Sequence, residues 1–237
     1  MIRNLLMESK SVLKYVIIVA GGKGERMGAS IPKQFLELAG KPILMHTLEK
    51  FRAAFPTIKI IVALPKNQID FWEGLFQHYK TPKVSHQIVV GGATRFNSVQ
   101  NALQLVKENS VVAIHDGVRP LVNIETIQRC FAEAQEKGNA IPVVEVVDSL
   151  RHYSKQENIN EAVSRSCYRI VQTPQCFRSE LILRAYEQDF DKLFTDDATV
   201  VEQLGEIINL VPGNRENIKI TNQEDLILAE ALLPHLR

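Results

Sequence analysis

Val16-Ile17-Ile18-Val19-Ala20-Gly21-Gly22-Lys23-Gly24-Glu25-Arg26-Met27, followed shortly by Pro32-Lys33, is the stretch that decides how this chain is read. A continuous apolar run of this kind forms a buried parallel strand. It empties into a loop in which Gly21, Gly22 and Gly24 remove the side chains that would keep an anion away from the backbone amides. Arg26 and Lys33 bring positive charge to the same neighbourhood, so the guest expected here carries phosphate.

Two familiar phosphate loops are excluded by spacing. A Walker A loop ends in Gly-Lys-Ser/Thr, and no such tripeptide follows this strand. The dinucleotide fingerprint G-x-G-x-x-G fits Gly22 and Gly24 but meets Met27 where its third glycine belongs. Its acidic ribose partner is missing too, because Ile60-Ile61-Val62-Ala63-Leu64 runs into Pro65-Lys66. What remains, G-x-G-x-R-M with a downstream P-K, resembles the loop of nucleotidyltransferases that join a nucleoside triphosphate to a sugar or polyol phosphate.

Composition narrows the class. The 237 residues suit one large α/β domain, and 45% hydrophobic with 23% charged residues is an ordinary globular profile. A formal net charge of +1 gives no basis for bulk binding to nucleic acid or anionic membrane, so basic residues are expected to act locally. Cys130, Cys167 and Cys176 are too few and too scattered for a disulfide framework or a zinc site. Residues 1–14 read as a leader, mobile over Met1–Ser11, and the run Tyr15–Ala20 is too short for a signal core. No segment approaches the roughly 20 apolar residues of a membrane span, and a cytoplasmic location is expected.

Strand-like runs alternate with helical periods. Helices are expected at about Pro42–Phe55, at Gln68–Tyr79, after Gly91-Gly92, and after Asn123 as N-cap. Strands are expected at Lys59–Leu64, His86–Val90, Val111–His115, Ala140–Val147, Ile207–Val211 and Ile218–Ile220, with a final helix opened by Thr221-x-x-Glu224. This rhythm predicts one domain over 15–237 with a three-layer, mostly parallel α/β sheet, and ligands at the carboxyl edge of its strands. The rhythm breaks at Asp148–Asn160, whose polar, turn-rich stretch predicts a projecting β-arm at about 148–172. Tyr168–Gln172 is expected as its returning strand, and the arm is expected to reach a second subunit.

Three further clusters bear chemistry. Gly91–Ser98 places a glycine pair at a strand end, where backbone groups and Ser98 could read a base edge while Arg95 stays solvated. His115-Asp116-Gly117-Val118-Arg119-Pro120 ends a buried strand: Asp116 suits a hard cation such as Mg²⁺, Arg119 can pair with it, and His115 reads as a structural histidine. Arg165, Thr173-Pro174-Gln175, Thr195-Asp196-Asp197 and Lys219 are too dispersed to interpret by spacing.

Taken in order, the glycine loop with Pro32-Lys33, Gly92–Ser98, His115-Asp116-x-x-Arg119-Pro120, Asp148-Ser149, Gln172–Gln175, Thr195-Asp196 and Asn217-Ile218-Lys219 resemble the 2-C-methyl-D-erythritol 4-phosphate cytidylyltransferase family from Tyr15 to Leu233. The resemblance implies a Rossmann-like nucleotidyltransferase fold and a homodimer with interlocking β-arms. It also implies Mg²⁺-dependent transfer of a cytidylyl group from CTP to a polyol phosphate, in isoprenoid precursor synthesis. By the same resemblance, Ala20, Gly21, Gly22 and Gly24 surround CTP, and Gly92 and Ser98 read cytosine. Arg26, Lys33 and Lys219 are the catalytic charges, and Asp116 holds the metal. Ser149, Arg165, Thr173 and Thr195 grip the acceptor, Arg165 and Thr173 across the dimer. Ser149, Gly117-Val118 and Ala93 depart from the family pattern. Ribitol-5-phosphate cytidylyltransferases share nearly every motif and differ in acceptor. A silent nucleotide-binding module would have no need for the full charged set.

Overall fold

The computed structural model describes residues 12–22, 31–79 and 84–235. The opening apolar run forms β1 (Leu13–Val19), and its glycine loop leaves the strand at the Ala20 end. A short hairpin, β2 (Glu37–Leu38) and β3 (Lys41–Pro42), leads into α1 (Ile43–Ala54). Then follow β4 (Lys59–Leu64), α2 (Ile69–His78), β5 (Gln87–Val90), α3 (Arg95–Leu103), β6 (Ser110–Asp116), α4 (Ile124–Lys137) and β7 (Asn139–Glu145). The second half adds β8 (Leu150–Ser154), β9 (Ile159–Val163), β10 (Arg169–Val171), β11 (Gln175–Arg178), α5 (Ser179–Ala185), α6 (Asp197–Glu202), β12 (Leu210–Pro212) and α7 (Gln223–Leu232).

The main sheet runs β10-β7-β11-β6-β1-β4-β5, with β12 on the outer side of β7. β5, β4, β1 and β6 are mutually parallel; β11 lies antiparallel between β6 and β7. Alternation along β1 sorts the core into two layers, since successive side chains leave opposite faces of a strand. Val16 and Ile18 pack with Leu44, Phe51, Trp72, Ile127 and Phe131, under α1, α2 and α4. Tyr15 and Ile17 pack with Phe96, Val99, Phe177, Ile182 and Val201, over α3, α5 and α6. Burial on both faces is why these strands read as unbroken apolar runs.

Local chemistry sets the element ends. Asn123 Oδ1 accepts from Thr126 N–H at 2.8 Å and starts α4; Gly138, at φ 98°, stops it where a side chain would be strained. The capping box of α7 sits one residue later than expected. Asn222 is the cap and Asp225 its partner, because Asp225 also takes the Thr221 hydroxyl at 2.6 Å.

Four expectations are corrected. β1 begins at Leu13, so residues 13 and 14 are strand and not leader; residues 1–11 lie outside the described residues. The arm folds on itself as the β8–β9 hairpin, whereas Tyr168–Gln172 returns to the main sheet as β10 along β7. The ladder of β12 starts only at Leu210 because the Asn139 side chain occupies the Ile207 carbonyl and the Asn209 amide. Ile218–Ile220 is not a strand: it is held by a backbone bond from Ile220 to Val118, a local bond from Ile218 to Glu216, and the buried Asn217 before it.

Candidate active site

The carboxyl ends of β1, β4, β5 and β6 open into one cleft of about 320 Å³. It is lined by Ala20, Gly21, Gly22, Lys33, Gly91, Gly92, Arg95, Ser98, Asp116 and Lys219, among others. A larger hollow of about 690 Å³ lies at the opposite strand ends. Its cations are already spent: Arg178 donates to the Gln135 and Glu136 carbonyls, Arg184 pairs with Glu206, and Lys137 with Glu133. Position at the carboxyl edge of the strands selects the smaller cleft.

The first lip is the β1 exit. Gln34, buried beside Lys33, donates to the Ala20 carbonyl and to Gln68 Oε1, each at 2.7 Å. That side chain fixes where the strand ends and the loop begins. A Cβ on Gly22 would lie 3.4 Å from Lys33 Cε, so the lysine stem runs directly across the loop backbone. Gly24 and Arg26 lie outside the described residues.

The second lip is the β5–α3 turn. A Cβ on Gly92 would fall 2.3 Å from Asn97 Cβ, so no larger residue fits the turn. Ser98 Oγ accepts from Gly92 N–H at 3.0 Å and donates to the Thr94 carbonyl at 2.9 Å. Arg95, expected in solvent, is instead clamped: its Nη1 and Nη2 meet Asp197 Oδ1 and Oδ2 at 2.9 and 2.6 Å. Tyr186 donates to Asp197 Oδ1 at 2.7 Å. Burial alone would lower the arginine's pKa, but fully buried Asp197 outweighs it and holds the charge firmly in place.

At the centre stands Asp116. Its Oδ2 faces Lys219 Nζ at 3.0 Å and Arg119 Nε at 3.4 Å, while its Oδ1 faces Arg95 Nε at 3.8 Å. Burial would raise this carboxyl, yet Arg95, Lys219 and Arg119 together keep it well below the usual carboxylate range. Asp116 is therefore ionised at any working pH. Behind it, His115 is fully buried, and burial lowers its pKa to about 4. His115 Nδ1 lies 2.9 Å from Thr173 Oγ1 and Nε2 lies 3.1 Å from the Arg119 carbonyl.

Of the expected site residues, Ala20, Gly21, Gly22, Lys33, Gly92, Ser98, Asp116 and Lys219 converge on the cleft. Ser149, Arg165, Thr173 and Thr195 do not line it. Ser149 and Arg165 are exposed at the base of the arm, where Arg165 donates to the Val147 carbonyl. Thr195 is exposed ahead of α6, and Thr173 is buried beneath Asp116. Arg95 and Gln34 are the residues that sequence reasoning undervalued. Arg95 and Ser98 sit three apart at one helix start, a spacing that puts both on one face.

Asp116 is the carboxylate that lines the cleft among the described residues, and it would be the group to meet a divalent cation such as Mg²⁺. No group of three or more His, Cys, Asp or Glu side chains forms a metal cage among the described residues. Mg²⁺ commonly takes one carboxylate plus substrate phosphates and waters, and among the described residues Asp116 Oδ1 is approached by Arg95 Nε at 3.8 Å.

A family model described as IspD, 2-C-methyl-D-erythritol 4-phosphate cytidylyltransferase, matches residues 14–235. A protein of Bacteroides thetaiotaomicron with that enzyme name is 52% identical over 218 residues, 92% of this chain and 98% of its own length. The crystal structure of 4-diphosphocytidyl-2C-methyl-D-erythritol synthase from Anaerococcus prevotii is similar at a TM-score of 0.79 and 28% identity, over 94% of this chain and 96% of that one. A 2-C-methyl-D-erythritol 4-phosphate cytidylyltransferase from Thermus thermophilus gives a TM-score of 0.73 at 33% identity, over 94% and 98% of the two chains.

Proposed function

The chain belongs to the 2-C-methyl-D-erythritol 4-phosphate cytidylyltransferase family, and on that premise we propose how its own residues divide the work. As a member it is a nucleotidyltransferase of isoprenoid precursor synthesis. It transfers a cytidylyl group from CTP to 2-C-methyl-D-erythritol 4-phosphate, giving 4-diphosphocytidyl-2-C-methyl-D-erythritol and pyrophosphate. The observation that carries the division of work is the cleft itself: a glycine lip, two lysines and one ionised carboxylate meet at the carboxyl edge of the sheet.

The acceptor's phosphate oxygen is already nucleophilic at neutral pH, so the protein has no proton to remove. It must hold that oxygen in line behind the α-phosphorus of CTP while the bond to pyrophosphate breaks. Gly21 and Gly22 let the triphosphate approach the backbone, and Lys33 and Lys219 offset the charge that builds on phosphorus and leaving group. Mg²⁺, held by Asp116 and the phosphates, would add Lewis-acid charge neutralisation. Ser98 supports cytosine by hydrogen-bond polarity. Its proton is committed to Thr94, so it can offer a base only a lone pair, which suits the exocyclic amine of cytosine and opposes the carbonyl of uracil.

The acceptor side needs a second subunit. Ser149 and Arg165 lie on the arm, away from their own chain's cleft, and the β8–β9 hairpin pairs only with itself among the described residues. Tyr153, Tyr168 and Ile170 are 70%, 47% and 52% exposed, an apolar surface that dimerisation would cover. In a homodimer, each arm would bring Arg165 to its neighbour's acceptor phosphate. No helix among the described residues is long and apolar enough to cross a membrane, and the three free cysteines suit a cytoplasmic setting.

A pyrophosphate-release assay with the methylerythritol acceptor tests this. CTP should outrun UTP by at least about tenfold, the scale of one mispaired buried polar contact. Lys33→Ala should lose on the order of 10²–10³ in turnover while keeping the fold. Equal rates with CTP and UTP would remove Ser98 from base selection, and full turnover in Lys33→Ala would remove Lys33 from catalysis.

A further inference from the structure

The polar groups behind Asp116 form a chain whose proton directions are fixed by elimination. The Arg119 carbonyl can only accept, so His115 Nε2, 3.1 Å away, carries a proton. A neutral imidazole then has its lone pair on Nδ1, and the Thr173 hydroxyl at 2.9 Å must donate to it. That leaves Thr173 Oγ1 to accept from the Asp116 N–H at 3.2 Å. His115 is also braced edge-on by Phe51, with ring centroids 4.9 Å apart. The chain closes on itself, since the residue that anchors it, Arg119, also faces Asp116 Oδ2 through its guanidinium at 3.4 Å.

We propose that His115 is a positioning residue for Asp116, acting through the Thr173 hydroxyl. It sets the main chain from which the carboxylate projects between Arg95, Arg119 and Lys219. The proposal rests on the reading of Asp116 as the acid of the transfer site. It reassigns Thr173, for which the family resemblance implied a grip on the acceptor phosphate. A hydroxyl that is buried, donating to His115 and accepting from Asp116 has no proton for a phosphate. Thr173 therefore controls turnover through Asp116 and leaves acceptor affinity untouched.

Thr173→Val removes the hydroxyl at nearly constant shape. The Asp116 amide, left without its acceptor, should exchange with solvent about tenfold faster or more. The ¹⁵N resonances of His115 in the wild-type protein should show a protonated Nε2 and an unprotonated Nδ1, and the Nδ1 resonance should move in the variant. Kinetically, kcat should fall about tenfold with the acceptor KM within twofold, and Thr173→Ser should restore kcat. Thr173→Ala gives the same readouts if the valine protein does not fold. A raised acceptor KM at unchanged kcat would overturn the proposal, as would a protonated Nδ1 or an unchanged Asp116 amide. Because the exchange and ¹⁵N measurements need no turnover, they decide the hydrogen-bond chain even if the transfer reaction itself failed.

Discussion

The Trp72 indole needs a neutral His86. Trp72 Nε1–H donates to His86 Nε2 at 3.0 Å, and His86 Nδ1–H donates to the Val84 carbonyl at 2.8 Å, so each ring nitrogen has one fixed role. Burial lowers the His86 pKa, more than the Val84 bond and Glu73 raise it. The sign follows directly. A histidine with a depressed folded pKa contributes its full stability above the unfolded value of about 6.5, and that contribution is lost as pH falls through the folded value. Trp72 is the chain's one tryptophan, so its emission should show a step with a midpoint below pH ~6.5. The step should vanish in His86→Asn; a step that survives there, or lies above that pH, would refute the pairing. At this scale the sequence is legible where a residue acts alone. Lys33 and Asp116 announce themselves by charge beside a glycine loop and at a strand end, whereas Lys219 is marked only by the family resemblance. Arg95 does not, because its partner Asp197 is 102 positions away and no spacing rule connects them.

The arm is the element that departs most from regular α/β construction. A two-stranded hairpin alone in water is marginal, and β8–β9 has no third strand among the described residues. Its Tyr153 and the nearby Tyr168 and Ile170 face solvent in the single chain. Tyr153→Asp should therefore shift sedimenting dimer toward monomer and lower turnover at least about tenfold, while CTP binding by the intact cleft persists. An unaltered sedimentation profile with full turnover would contradict arm exchange. Strand β4 and the Asn123 cap that starts α4 are read from sequence as they stand, because an apolar run and a capping side chain are local signals. β11 escapes such a reading. Four residues, two of them polar, gain their strand identity from β6 and β7 on either side, and pairing of that kind is invisible in a short window. The arm's returning strand is misassigned to Tyr168–Gln172 for a related reason: a polar hairpin carries no apolar alternation to mark its strands.

At the scale of the molecule, the sheet is mixed but mostly parallel, and the carboxyl edge of its parallel strands gathers four strand ends around one cleft. This much follows from the order of runs and glycine turns, since in such sheets ligands sit beyond the carboxyl ends of the strands. What the order cannot give is the acceptor half: Ser149 and Arg165, which we propose for it, flank a hairpin that pairs with no strand of the main sheet among the described residues. The reaction of this family joins two phosphates and expels a third group. It is tested most directly by ³¹P NMR of CTP, Mg²⁺ and 2-C-methyl-D-erythritol 4-phosphate mixed with the protein. The expected spectrum loses the acceptor monoester and the triphosphate together and gains, in equal amounts, the coupled doublets of an unsymmetrical diphosphate and the singlet of pyrophosphate. Pyrophosphate accompanied by CMP, with the monoester untouched, would mean that water is the acceptor and would contradict the account.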